Sequence, residues 1–185
     1  SKIIKPDVGV ITNISYAHIK NFKNIHQVAL AKSEIINNIK TNGYLVLNGD
    51  DKFYNLHKII AKTKNINILT FSLKNKSADI FLIKIVKEKS KYKIFININK
   101  KQTYFYVRLI FENNIKNLLA AIAIISIFKD THKLSKNIFF DYEIIKGRGD
   151  TTKVKLNKKN IYIIDESYNS NPLSLTSAIK NFDEL

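Results

Sequence analysis

The sequence predicts an α/β fold with a mainly parallel sheet, and three observations predict it. Short apolar runs of strand length recur at residues 7–11, 44–48 and 66–71. The stretches between them carry the three-to-four-residue spacing of helices, which is the alternation of a parallel sheet. After them, between Ala78 and Leu109, the character changes to alternating stretches, as in antiparallel hairpins.

Taken in order, Asp7-Val8-Gly9-Val10-Ile11 reads as a short buried strand with Thr12 and Asn13 at its exit. From about Asn24 to Ile39 the pattern is helical. At 100° per residue Ile25, Val28, Ile35, Ile36 and Ile39 share one arc, Ser33, Glu34 and Asn37 lie opposite, and Lys32 falls in the middle of the apolar arc. Tyr44-Leu45-Val46-Leu47-Asn48 is a second strand, ending in the turn Gly49-Asp50-Asp51. A helix from about Phe53 to Lys62 leads to the strand Ile66–Phe71. Phe81–Val86 and Tyr92–Ile96 are antiparallel strands expected to cap one edge of the sheet. Residues 114–125 form a helix apolar almost all round, hence buried, with Asn113 or Asn114 as its N-cap. A weaker helix is expected near Leu134 to Phe140. Lys146-Gly147-Arg148-Gly149-Asp150 is the candidate linker, dividing the chain into 1–146 and 147–185. Beyond it come a strand pair, Thr151–Leu156 and Ile161–Ile164, and a helix with Asn171 at the N-cap and Pro172 at its first position.

Composition narrows the classes. A hydrophobic share of 45% in 185 residues suits a globular chain, and no apolar run approaches the roughly 20 residues that cross a bilayer. The first residues lack the apolar stretch of a signal peptide, so a cytoplasmic location without membrane insertion is the expectation. With no cysteine, a metal must be held by oxygen or imidazole, which suits magnesium better than zinc. The net charge of +16 is spread through a Lys-, Ile- and Asn-rich chain with two arginines, Arg108 and Arg148, so no nucleic-acid partner is expected.

Chemistry is expected where loops follow strands, because ligands of open α/β sheets collect at the carboxyl ends of the strands. Two polar stretches qualify, residues 12–18 and 165–172, and they invite a reading as two halves of one nucleotide-dependent site. Lys32 is the sharpest anomaly: an ammonium on a buried face must find a partner, snorkel outward or lose its proton. As a neutral amine it is a nucleophile or an acceptor of carbon dioxide, and the resulting carbamate is an additional carboxylate. His18 has an imidazole suited to a metal or a phosphate. Asp165 and Glu166 suit ribose hydroxyls or a metal, and Arg148 suits a phosphate. Each also has a plain structural reading, as an exposed or solvated group. No Gly-x-x-x-x-Gly-Lys-Ser/Thr loop occurs in the sequence.

Several of these blocks together resemble the Mur ligases. Pro6 to Ile14, Ala17-His18, Phe22 and Ala31-Lys32-Ser33-Glu34-Ile35 follow the family's central-domain pattern in order and spacing, and residues 47–51 and 114–121 look like its next two blocks. Residues 165–172 are similar to the Tyr-Asn-Ala-Asn-Pro signature of one subtype; Asn113 and Ser15-Tyr16 depart from the family's usual residues. The resemblance implies a partial central ATPase domain followed by the start of a Rossmann-like C-terminal domain. It implies ATP and Mg2+ as cofactors, with His18 near one magnesium and Lys32, as a carbamate, holding a second. Asn114 would lie near adenine, Arg148 near the phosphates and Asp165 or Glu166 near the ribose. Tyr168, Asn169 and Asn171 would shape the nucleotide-facing edge. The implied reaction is addition of D-alanyl-D-alanine to UDP-N-acetylmuramoyl-tripeptide through an acyl phosphate, by a monomer. The chain is expected to be an internal fragment, inactive alone, because the family's phosphate loop, magnesium-binding glutamate and UDP-sugar domain are not in it. The alternatives are a noncatalytic nucleotide- or partner-binding remnant, a folylpolyglutamate synthetase-like ligase and a basic nucleic-acid-binding protein.

Overall fold

The computed structural model describes residues 4–15, 22–108, 110–142, 146–147, 150–157, 159–165, 167–168, 175–176 and 179. The chain divides into two compact units, Ser1–Asp141 and Tyr142–Leu185.

The first unit is a mixed six-stranded sheet between helices. Its strands β1 (Val8–Ile11), β2 (Tyr44–Asn48), β3 (Asn67–Ser72), β4 (Ile80–Glu88), β5 (Lys91–Ile98) and β6 (Lys101–Val107) lie side by side in chain order. β1 to β4 are parallel neighbours, whereas β4, β5 and β6 pair antiparallel. The hairpin region therefore extends the sheet beyond β3, with the irregularity of a bulge between Leu82 and Lys84.

Helices α1 (Ile25–Ser33) and α2 (Tyr54–Lys62) connect the first three strands, and α3 (Glu112–Phe128) follows β6. Parallel strands covered on both faces read as continuous apolar runs, and β2 shows it. Leu45 and Leu47 join Val28, Ala29, Ile36 and Ala61 in one cluster, while Val46 joins Leu119, Ile122 and Ala123 in the other. The antiparallel part alternates instead. Ile94, Ile96 and Phe105 are fully buried beside α3, and Lys93, Phe95, Tyr104 and Tyr106 are only partly buried. Lysines lie over those rings, Lys91 Nζ at 3.5 Å from the Tyr106 centroid and Lys93 Nζ at 4.0 Å from that of Tyr104.

Three expected element boundaries are corrected. The helix predicted to reach Ile39 stops at Ser33 and gives way to a single 3-10 turn at Ile36–Asn38. The buried helix begins earlier, at Glu112 after an extended Phe111, so Asn113 and Asn114 lie in its first turn instead of capping it. Between Leu134 and Phe140 the backbone forms turns after a 3-10 turn at Thr131–Lys133, with no α-helix.

The second unit holds the antiparallel pair β7 (Asp150–Leu156) and β8 (Lys159–Asp165), turning at Asn157 with φ of 48°. Val154, Leu156, Ile161, Tyr162 and Ile163 are exposed along it. Gly147, at φ +77°, accepts the Tyr168 N–H at 3.0 Å; a β-carbon there would lie 3.0 Å from the Tyr168 backbone nitrogen. Leu175, Thr176 and Ile179 have helical backbone, and the expected cap at Asn171 and Pro172 lies outside the described residues. Among the described residues no helix is long and apolar enough to cross a membrane.

Candidate functional site

The carboxyl ends of β1, β2 and β3 are tied together by the block Asn48-Gly49-Asp50-Asp51. Asn48, nearly buried at the end of β2, donates from Nδ2 to the Thr12 carbonyl at 3.0 Å, while its Oδ1 accepts the Asp50 N–H at 2.9 Å. Asp51 accepts the Ile14 N–H at 2.8 Å on one oxygen and the Phe53 N–H at 2.8 Å on the other. It thus holds the loop after β1 and the entry to α2 at once. Asp50 accepts the Ser72 hydroxyl at 2.5 Å and the Leu73 N–H at 2.6 Å, which fixes the exit of β3.

Both carboxylates spend their oxygens on protein donors, a charge-assisted use that leaves them as braces for the loops. In the sequence this block reads as a turn and as one of the stretches similar to the Mur ligases, without a role for its acids. Paired acids directly after a strand were the available signal, since a turn needs one acceptor and supplies two more oxygens here.

Lys32 lies on the last turn of α1, between the buried residues Val28, Ser33 and Ile36. Of the outcomes open to an ammonium at this position, the outward one is what the structure has: the Lys32 side chain is exposed. The helix ends one residue later, so the arc drawn through Ile35 and Ile39 does not belong to one continuous helix. Exposure leaves the amine within reach of carbon dioxide, but the burial from which a neutral amine was argued is not there. Among the described residues no three His, Asp or Glu side chains gather as a metal set. His18, the other proposed metal ligand, lies outside the described residues.

Asn114 sits half-buried in the first turn of α3, its N–H bonded to the Phe111 carbonyl at 2.9 Å. In the second unit, Asp165 closes β8 and accepts the Ser167 N–H at 2.9 Å. Hydrogen bonds from the Ser167 side chain and backbone hold the Asp165 carboxyl below its ordinary value, because they favour the charged form. Tyr168 is exposed. Arg148, Glu166, Asn169 and Asn171 lie outside the described residues.

A shallow depression of about 250 Å³ lies at the other end of the sheet, lined by Asp7, Lys40, Tyr44, Ile127 and Phe128. It borders the amino ends of β1 and β2, away from the braced loops.

The family model described as the Mur ligase middle domain matches residues 1–125. The UDP-N-acetylmuramoyl-tripeptide--D-alanyl-D-alanine ligase of Rickettsia prowazekii is 32% identical over 97% of this chain, which covers 39% of that enzyme. A UDP-N-acetylmuramate--L-alanine ligase of Borrelia garinii is 30% identical over 96% of the chain, covering 38% of it. Among solved structures, MurF from Acinetobacter baumannii superposes with a TM-score of 0.83 at 24% identity, over 100% of this chain and 39% of that one. The ADP complex of MurF ligase from Thermotoga maritima gives 0.77 at 22% identity, over 97% and 39%. The chain thus spans about two fifths of the length of these relatives. Because the middle-domain match extends over more than half of its residues, the chain belongs to the Mur ligase family.

Proposed function

We propose that this chain is part of an ATP-dependent ligase that joins D-alanyl-D-alanine to UDP-N-acetylmuramoyl-tripeptide in the cytoplasm. Family membership over residues 1–125 is the observation that carries this reading. The 32% identity to a D-alanyl-D-alanine-adding enzyme supports the substrate class, as does the Tyr168-Asn169-Ser170-Asn171-Pro172 block. In the reaction, an oxygen of the tripeptide carboxylate attacks the γ-phosphorus of ATP and ADP leaves. The amine of D-alanyl-D-alanine then attacks the acyl carbon, loses a proton, and phosphate departs.

Each residue contributes what its surroundings allow. Lys32, exposed on α1, would hold one magnesium ion as its carbamate, and His18 would approach another. Magnesium, when bound, offsets the charge that builds on the transferred phosphoryl. Asn114 faces adenine, Asp165 or Glu166 takes the ribose hydroxyls, and Arg148 takes the phosphates. Tyr168, Asn169 and Asn171 border the nucleotide in the second unit, which acts as a separate domain reached through the segment around Lys146 and Gly147.

The test is Lys32→Ala in the complete enzyme, followed by release of phosphate that depends on both substrates. We expect the ligation rate at saturating ATP to fall roughly 100-fold, in line with losses at metal-supporting positions. An unchanged rate would remove Lys32 from the site. The second reading, an L-alanine-adding ligase, has the Borrelia garinii similarity in its favour. Supplying UDP-N-acetylmuramate with L-alanine in the same assay separates the two.

A further inference from the structure

His57 is a titratable side chain only 1% exposed, inside α2 beside the buried Ala61. Its Nε2 lies 3.1 Å from the main-chain oxygen of Ala29 on α1. A carbonyl only accepts, so Nε2 carries the proton and donates.

The place of that carbonyl gives the bond its meaning. The Ala29 carbonyl lies within α1, four residues before Ser33, so the bond from His57 is additional to the helix's own ladder. The carbonyls left without in-helix partners are those of the last turn of α1, closed by Glu34 in right-handed conformation with no glycine. Its last carbonyls are satisfied locally. Leu30 accepts the Ser33 hydroxyl at 2.6 Å, Ala31 the Glu34 N–H at 3.2 Å and Lys32 the Ile35 N–H at 3.4 Å. These bonds turn with the helix. The bond from His57 does not, because it comes from a different helix 28 residues away in sequence.

A second fixed point lies one turn earlier, where the His26 ring meets the Phe53 ring edge to face at 6.0 Å. His26, Ala29 and Lys32 form one row at three-residue spacing along α1. One tether on the Ala29 backbone and one on the His26 side chain together restrain the helix's rotation about its own axis. Side chains reach roughly 5–6 Å from a helix axis, so a 20° roll displaces their ends by about 2 Å.

We propose that His57 is a positioning residue that holds α1 in the rotation that presents Lys32. The inference rests on the reading of Lys32 as a carbamate that holds metal, and it adds the group that aims it. A displacement of about 1 Å at a reacting centre costs on the order of 100-fold in rate, so the tether matters to turnover even where the fold survives its loss.

The test compares His57→Gln with His57→Asn in the complete enzyme. Gln places an amide N–H close to the Nε2 position, whereas Asn is one bond too short to reach Ala29, and both are polar enough for the fold to be retained. Two readouts are taken: kcat at saturating ATP, and label from 13C-bicarbonate on the peptide containing Lys32 after chemical trapping. The Asn variant is expected to lose roughly tenfold or more in kcat, with less label on Lys32. The Gln variant is expected to restore both. Equal kcat and equal label in the Asn variant and the parent, with only the thermal midpoint moved, overturns the proposal and leaves His57 as packing. Lys32→Ala, run beside them, separates the failures. Full activity there sinks the Lys32 reading and this inference with it, whereas loss there with none in His57→Asn sinks this inference alone.

Discussion

At the scale of single residues, Asp51 shows how one carboxylate determines the course of two loops. Its two oxygens accept N–H groups from Ile14 and Phe53, the first 37 residues away in sequence. Replacing it with alanine strands both donors in a partly buried place, and each unsatisfied group costs roughly 1–3 kcal/mol. Asp51→Ala is therefore expected to lower stability by about 2–6 kcal/mol, read as a lower urea midpoint at unchanged slope, and Asp51→Asn by less, since it keeps one acceptor. An unshifted midpoint would show that water replaces these bonds at no cost. A sequence shows that Asp51 sits in a turn, but which distant N–H it meets is decided by tertiary packing. Lys32 illustrates the same limit in reverse. Its place on a helix was legible and an outward side chain was among the readings, but which reading holds depends on where the helix stops.

At the scale of elements, the strands were the most legible part. β2 is a run of five residues that must be buried on both faces, and its bounds agree with the predicted ones, Tyr44 and Asn48. The end of α1 was hidden because the Ser33 hydroxyl and the Glu34 and Ile35 N–H groups take its last carbonyls, and none of these leaves a periodic trace. The start of α3 was hidden for a related reason: Phe111 precedes it without a side-chain cap, so the asparagines looked like better starts than they are. Gly43 is where the entry to β2 leaves no room. A β-carbon there would lie 2.7 Å from the Asp7 carbonyl oxygen and 2.9 Å from that of Lys40, both backbone atoms. Gly43→Ala is expected to destabilise the first unit by about 1–3 kcal/mol, the cost of an overpacked site, measured by thermal or urea unfolding. Retention of full stability would mean that β1 and β2 can part at no cost.

At the scale of the molecule, the two units differ in what they bury. The first has helices on both faces of its sheet, whereas the described strands of the second expose Val154, Leu156, Ile161, Tyr162 and Ile163. A lone two-stranded ribbon is marginal in water. Residues 1–141 expressed alone are expected to give one cooperative unfolding transition by circular dichroism, and residues 142–185 alone none; a cooperative transition from the latter would contradict this. The charge of +16 was legible as a number, but its gathering over aromatic rings on β5 and β6 required the sheet to be in place. The sheet itself, parallel from β1 to β4 and antiparallel from β4 to β6, has a consequence in time. Hairpins close over a few residues in microseconds, while parallel pairs must first bring distant segments together. The meander is placed to form early and to present β4 as a ready template, on which β3, then β2 and β1, are laid down from the far side inward.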